Sequence, residues 1–327
     1  MKIIYFAFKH RYRIKDLNNF LKTKKYGNFF VINFSGSLKH YFAKFLNIMN
    51  IGKAISCDGR PLIANKKKGY NFYMRGTDFN IPSNLTNYNN NIVTVKHALL
   101  QNNNIFQIYP IDIDKNEIKK DFNVVYASTI NLEFDSGKKN FWENNKEKIL
   151  EDFTIIDNKD FLLNKLNDKN LHEINGYYRA IKLHLRFEIV SYLKKKLKDK
   201  FLLIGDDWKK YSFDALNSNY NIKENKKIYK GNICLDLGCI EGSSSFYSRS
   251  NQIIESGGLI IQSKQMDSNE KWGQLSKDII FKDFNNLNFI INEVLNDYHN
   301  ANKILTKIFN HFSNSHKDLE KNLKNYF

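Results

Sequence analysis

Apolar residues in the C-terminal half fall into short unbroken runs, separated by longer stretches where they recur every three or four positions. The runs at 201–204, 233–237, 259–262 and 279–281 predict strands buried on both faces, since a strand inside a covered parallel sheet has no polar side to show. Between 177 and 198, Ile181, Leu185, Ile189, Tyr192 and Leu193 keep a helical spacing, and 287–298, 301–312 and 317–327 read as further helices. The N-terminal half predicts strands at 3–8, 29–34, 53–57 and 124–128, with helices at 14–22, 38–48, 140–151 and 160–166. Residues 65–91 are polar and glycine-bearing and follow neither period. Strands alternating with helices imply an α/β architecture, in which right-handed crossovers build parallel sheets and ligands bind outside the strands' C-terminal ends. Three loops fall at such ends: 205–208, 238–247 and 263–267. Polar residues between Leu166 and Tyr177 suggest a division into domains 1–172 and 173–327.

The stretch Ser243 to Gln262 carries the strongest chemistry. A serine-rich loop with Tyr247 and Arg249 leads into a short helix, which stops at Gly257-Gly258 before an apolar strand. Ser250 or Asn251 can cap the helix, because their side-chain oxygens accept the free N–H groups of its first turn. Gly257 supplies the left-handed conformation that helix ends often need. Backbone N–H groups, the helix dipole and a forked guanidinium together suit an anion such as phosphate.

The spacing Arg249-x-x-Gln252-x-x-x-x-Gly257-Gly258, preceded by Tyr247 and followed by a strand, resembles the donor-nucleotide motif of GT-B glycosyltransferases. The resemblance points in particular to the glycosyltransferase-like group that includes spore-coat maturation proteins, and it covers about residues 175–325. In that group the pattern is roughly Tyr-x-Arg-x-x-Glu-x-x-x-x-Gly-Gly. The glutamate, which in many GT-B enzymes holds the ribose hydroxyls, falls here on Gln252. Glutamine can still donate and accept to a diol, but lacks the charge that strengthens such bonds. Glu255, one turn later, is either a substitute or a surface residue. Gly205-Asp206-Asp207-Trp208 is similar to the Gly-x-x-Trp after the first C-domain strand of the group. The resemblance implies two Rossmann-like domains facing across a cleft. The C-terminal domain would bind a nucleotide sugar through Gly205, Ser243, Ser244, Ser245, Tyr247, Arg249, Gln252, Glu255 and Gly257. An inverting enzyme would need a general base in the N-terminal domain. His10, after the first strand, and Asp58, after the third, have suitable positions, whereas a retaining enzyme would need neither.

Composition narrows the setting. No apolar run approaches the ~18 residues of a membrane span, and the N-terminus lacks a secretory signal's apolar core. The expected location is cytoplasmic, with peripheral contact to an anionic membrane face as an electrostatic option. Cys57, Cys234 and Cys239 are odd in number and lack zinc-ligand spacing, so reduced, buried thiols are expected. The net charge of +17 comes from 44 Lys and seven Arg, beside 46 Asn, a bias that A+T-rich codons would produce. The charge is spread along the chain without a helix-turn-helix, zinc-finger or RNA-binding signature, so no specific nucleic-acid partner is expected.

A rival motif, Asp112-Ile113-Asp114, matches the metal-binding Asp-x-Asp of the other large glycosyltransferase fold. Among 21 aspartates chance alone gives roughly one such triplet, so it is read as a loop and no metal or cofactor is expected. Walker, Gly-x-Gly-x-x-Gly and His-Glu-x-x-His patterns are missing. The expected activity is a metal-independent transfer of a sugar from a nucleoside-diphosphate donor to the hydroxyl of a glycan, lipid-linked or protein acceptor. The alternatives are a non-catalytic GT-B-like protein that binds a nucleotide or partner, and a basic nucleic-acid-binding protein.

Overall fold

The computed structural model describes residues 2–8, 25–26, 29–35, 53–57, 70–73, 91–93, 96–99, 110, 113–218, 222–240, 242–315, 317–318 and 321. By contacts the chain divides into two compact units, Met1–Ile111 with Asn314–Phe327, and Asp112–Ser313.

In the first unit, strands β1 (Lys2–Phe8), β2 (Lys25–Tyr26), β3 (Phe29–Ser35), β4 (Lys53–Cys57), β5 (Tyr70–Tyr73) and β6 (Asn91–Val93) form one sheet in the order β2-β3-β1-β4-β5-β6. All neighbours are parallel except β2 and β3. The expected strands at 3–8, 29–34 and 53–57 are there. β5 lies in the stretch that followed neither period, and the expected helices at 14–22 and 38–48 fall outside the described residues.

The second unit is built on a five-stranded parallel sheet of β7 (Val124–Ala127), β8 (Phe201–Ile204), β9 (Ile233–Asp236), β10 (Leu259–Ser263) and β11 (Ile280–Phe281), in the order β11-β10-β9-β7-β8. Every residue of β9 and β10 is buried, as expected of unbroken apolar strands covered on both faces. Helices α1 (Ser136–Glu151), α2 (Lys159–Lys165) and α3 (Leu171–Leu197) lie between β7 and β8, and α4 (Ile222–Tyr229) precedes β9. Helix α5 (Ser248–Glu255) joins β9 to β10, and the short α6 (Ser268–Trp272) and α7 (Ser276–Ile279) join β10 to β11. Then α8 (Phe284–Asn296) and α9 (Tyr298–Phe312) follow. Counting parallel strands alone, both sheets run second-first-third-fourth-fifth. That is a doubly wound order, with its topological switch point between the first and third strands.

Helix α3 starts at Leu171 rather than near Tyr177. Asn170 accepts from the Glu173 N–H at 3.0 Å, and Glu173 in turn accepts from the Asn170 N–H at 3.0 Å. This reciprocal capping box satisfies two otherwise orphaned donors. The boundary expected at 172/173 thus falls inside a helix, and the division by contacts lies at 111/112. The polar residues before Tyr177 are a helix cap, not a linker. β7, which sequence order would leave in an N-terminal domain, pairs with β8 and β9 and belongs to the second sheet. The second unit's core includes Trp142, Trp208, Trp272, Tyr126, Tyr178, Phe201, Phe246 and Phe281, all fully buried.

Candidate functional site

The C-terminal ends of β9 and β10 carry the two loops that gather the polar side chains. Asp236, the last residue of β9, is completely buried. Its carboxylate accepts from Gln262 Nε2 at 2.7 Å, from the Gly238 N–H at 3.1 Å and from the Tyr247 hydroxyl. Gln262 is fixed in turn, receiving Trp272 Nε1 at 3.0 Å and donating to the Ser245 carbonyl at 2.7 Å. A buried carboxylate must be hydrogen-bonded or paired to remain charged, and these three donors meet that need. They also anchor the loop to the strand ends.

Helix α5 begins one turn before the cap expected at Ser250 or Asn251. Tyr247 is the N-cap residue, and its N–H donates to Ser250 Oγ at 2.7 Å. Arg249 therefore stands in the first helical turn, partly buried. Burial opposes its charge, but the surroundings of Tyr247, Tyr126, Tyr229 and Asp236 more than offset that and raise its pKa. Burial likewise pushes the Tyr247 hydroxyl well above its ordinary pKa, with Asp236 adding to the effect.

The serine hydroxyls are engaged within the protein. Ser243 Oγ lies 2.6 Å from Asp157 Oδ2 and 3.2 Å from Gln265 Oε1, and accepts from the Met266 N–H at 3.0 Å. Ser245 donates to Asp267 Oδ1 through both its N–H, at 2.7 Å, and its hydroxyl, at 2.8 Å. Ser244 is buried beside them. The loop after β9 is thereby fastened to the loop after β10. Gln252 is partly exposed on α5, and Glu255 is buried rather than on the surface. Gly257 has φ +68, and a Cβ there would lie 2.3 Å from Asn116 Nδ2 and 2.6 Å from the Asp114 carbonyl. Gly205 is pressed against the protein's own backbone, where a Cβ would lie 1.8 Å from the Ser128 carbonyl. Trp208 is a core anchor, donating to that same carbonyl at 2.5 Å. His10 and Asp58 lie outside the described residues, as does Asp112. Asp114 uses its N–H on the Glu255 carbonyl at 3.0 Å. Cys234 and Cys239 are free thiols, and burial pushes that of Cys234 up.

Two cations that sequence reasoning passed over complete the site. Lys182 and Arg186 project from α3, each only 5% exposed. Lys182 Nζ donates to the carbonyls of Gly242 and, at 3.2 Å, Cys239; it lies 3.8 Å from Asp157 and 4.8 Å from the centre of the Tyr178 ring. Burial lowers its pKa, against the pull of Asp157. Arg186 Nη2 donates to the Gly238 carbonyl. Asp157 completes the group by accepting from the Tyr178 hydroxyl at 2.7 Å. The available signal was the continuation of a buried stripe through Tyr178, Lys182, Arg186 and Ile189, where long cations stood at core positions of the helix.

Among the described residues no three His, Cys, Asp or Glu side chains converge to hold a metal ion, and no helix is long and apolar enough to cross a membrane. The second unit is thus a doubly wound α/β unit whose strand ends collect two buried cations and the first turn of a helix. No protein-family model matches the chain, and no curated protein matches it. Among solved structures it is similar to a glycosyltransferase from Rickettsia africae ESF-5, at 12% identity and a TM-score of 0.44, over 99% of this chain and 97% of that one. At that level of likeness the function has to be argued from the site itself.

Proposed function

We propose that the chain is a glycosyltransferase of the GT-B type, which moves a sugar from a nucleoside-diphosphate donor to an acceptor hydroxyl in glycan or cell-surface polysaccharide synthesis. One observation carries the reading. The second sheet brings Arg249, in the first turn of α5, to the loops at its C-terminal edge, where doubly wound sheets bind nucleotides. Negative charge develops on the departing diphosphate in the transition state, and cations fixed in advance stabilise it without reorganising at that moment. In this reading Arg249 and the N–H groups opening α5 do what a divalent metal does elsewhere. Gln252 takes the position of the ribose-binding carboxylate, and His10 and Asp58 are the candidates for accepting the acceptor's proton. The repeated strand order in the two sheets fits a pair of Rossmann-like domains.

A second reading is a non-catalytic relative that binds a nucleotide or partner. It is favoured by the internal bonding of Ser243 and Ser245, which leaves fewer groups for a donor. Thermal-shift titration with nucleoside diphosphates, with and without EDTA, followed by assay of sugar-nucleotide hydrolysis, tests both. Stabilisation unaffected by chelation, together with turnover, is the expected result. Stabilisation without turnover of any sugar nucleotide favours the second reading, and a protein indifferent to every nucleotide at millimolar concentration sinks both.

A further inference from the structure

Beneath α3 lies a pocket whose empty space, counted out to solvent, is ≈ 340 Å³. Lys182, Arg186 and Lys264 line it against a single carboxylate, Asp157, which already accepts from Tyr178 and lies 2.6 Å from Ser243 Oγ. Phe153, Leu185, Ile189 and Leu237 form an apolar wall, which keeps the local dielectric low and makes an unbalanced charge more costly. Arg186 is 5% exposed, and its Nε, fully buried, has no hydrogen-bond partner although Nη2 has one. A buried guanidinium donor left unmet is a rare exception in native proteins and asks for a missing acceptor.

We propose that this pocket binds one tetrahedral oxyanion of the phosphate class, either as a free ion or as the end of a larger molecule. An oxyanion there would accept from Arg186 Nε and balance the surplus of cations. Lys264, partly exposed and adjoining the last residue of β10, would close over it from the mouth. This goes beyond the nucleotide reading, because the pocket does not include Arg249 or any residue of α5.

The test uses the full chain, with sodium phosphate compared with sodium chloride at equal ionic strength. Phosphate should raise the melting temperature, since a ligand of the native state stabilises it by mass action. Calorimetric affinity for phosphate should fall roughly tenfold or more in Arg186→Lys, which keeps the cation but removes Nε, and less in Lys264→Gln. Arg249→Ala, outside the pocket, should lose less phosphate affinity than Arg186→Lys. Should Arg186→Lys not fold, Lys264→Gln alone decides. The pocket assignment is overturned if phosphate does no more than chloride, or if the folded variants bind it undiminished. A nucleoside diphosphate that stabilises where phosphate does not overturns the pocket and leaves the donor reading standing; the reverse result keeps the pocket and removes the donor reading. When both bind, competition assigns the oxyanion to a nucleotide's end and additivity assigns it to a free ion, and each keeps the pocket.

Discussion

Arg249 and Arg186, two of seven arginines in the chain, stand at the same edge of the same sheet in opposite circumstances. Arg249 stands in the first turn of a helix, just after a loop whose composition advertises an anion site. It already has Asp236 and three tyrosine hydroxyls in its electrostatic surroundings. Arg186 lies in the middle of a 27-residue helix with no local motif, packed against a carbonyl of the β9 loop and one donor short of satisfaction. A local motif therefore marks where a charge can be placed. Whether that charge is free to meet a ligand is decided by tertiary partners.

The largest expected effect tests how firmly the Arg249 side is built. Gly257→Val places a β-branched residue at φ +68 against backbone and an amide, and should cost about 3 kcal/mol. Urea denaturation measures it; a loss under about 1 kcal/mol would mean that α5 ends in another way. On the Arg186 side, Lys182→Met removes the cation from the Gly242 and Cys239 carbonyls and from Asp157. A loss of about 2 kcal/mol is expected, against under about 0.5 kcal/mol for the exposed Lys195→Met of the same helix. Equal losses would put both lysines on a solvated face and dissolve the contrast.

Arg249→Ala should cost about 1 kcal/mol of stability. As a loop residue it would fall within the ordinary surface range of about 0.5 kcal/mol, but its place beside buried Asp236 makes it part of the packing. Its effect on diphosphate affinity should be larger, tenfold or more, when measured by calorimetry. An Arg249→Ala protein that binds every nucleoside diphosphate as tightly as wild type contradicts the donor assignment.

The last effect is a slope, visible only at high pH. Burial pushes the hydroxyls of Tyr178 and Tyr247 well above their ordinary pKa of 10.0, and that of Tyr229 up to about 12. The unfolded chain gives up these protons near pH 10 while the folded chain keeps them. Their stabilising contribution is therefore complete below that pH and drains away as pH rises through it. Tyr247→Phe should make the decline between pH 10 and 11 shallower by up to about 1.4 kcal/mol per pH unit, read from urea midpoints. An unchanged slope would mean that Tyr247 meets solvent.

Much of the second sheet could be read from the chain, because β8, β9 and β10 are short apolar runs that a covered strand requires. The stop at Gly257 was equally plain. The start of α3 was not, although Asn170 and Glu173 stand at capping-box spacing, because an apolar period says nothing about the polar turn before it. Ser243 and Ser245 show a different limit. A hydroxyl that binds phosphate and one that ties two loops together are the same residue in sequence, and only the arrival of Asp157, Gln265 and Asp267 from distant segments separates them. Lys182 and Arg186 were hidden for the same reason, since two cations four residues apart on a lysine-rich helix read as a solvated face.

The strand β7 leaves the ribosome before either of its neighbours. Val124 has Phe201 on one side and Ile233 on the other, so both of its edges stay unpaired until those segments have been made. Pairings so distant along the chain are slow to form, and an open apolar strand is a template for the wrong partner meanwhile. A nascent chain halted after β8 would still carry one bare edge of β7, and a chaperone or a neighbouring copy could take it. The first strand of the proposed donor-binding unit, inserted between two later ones, is thus also where its biogenesis is most vulnerable.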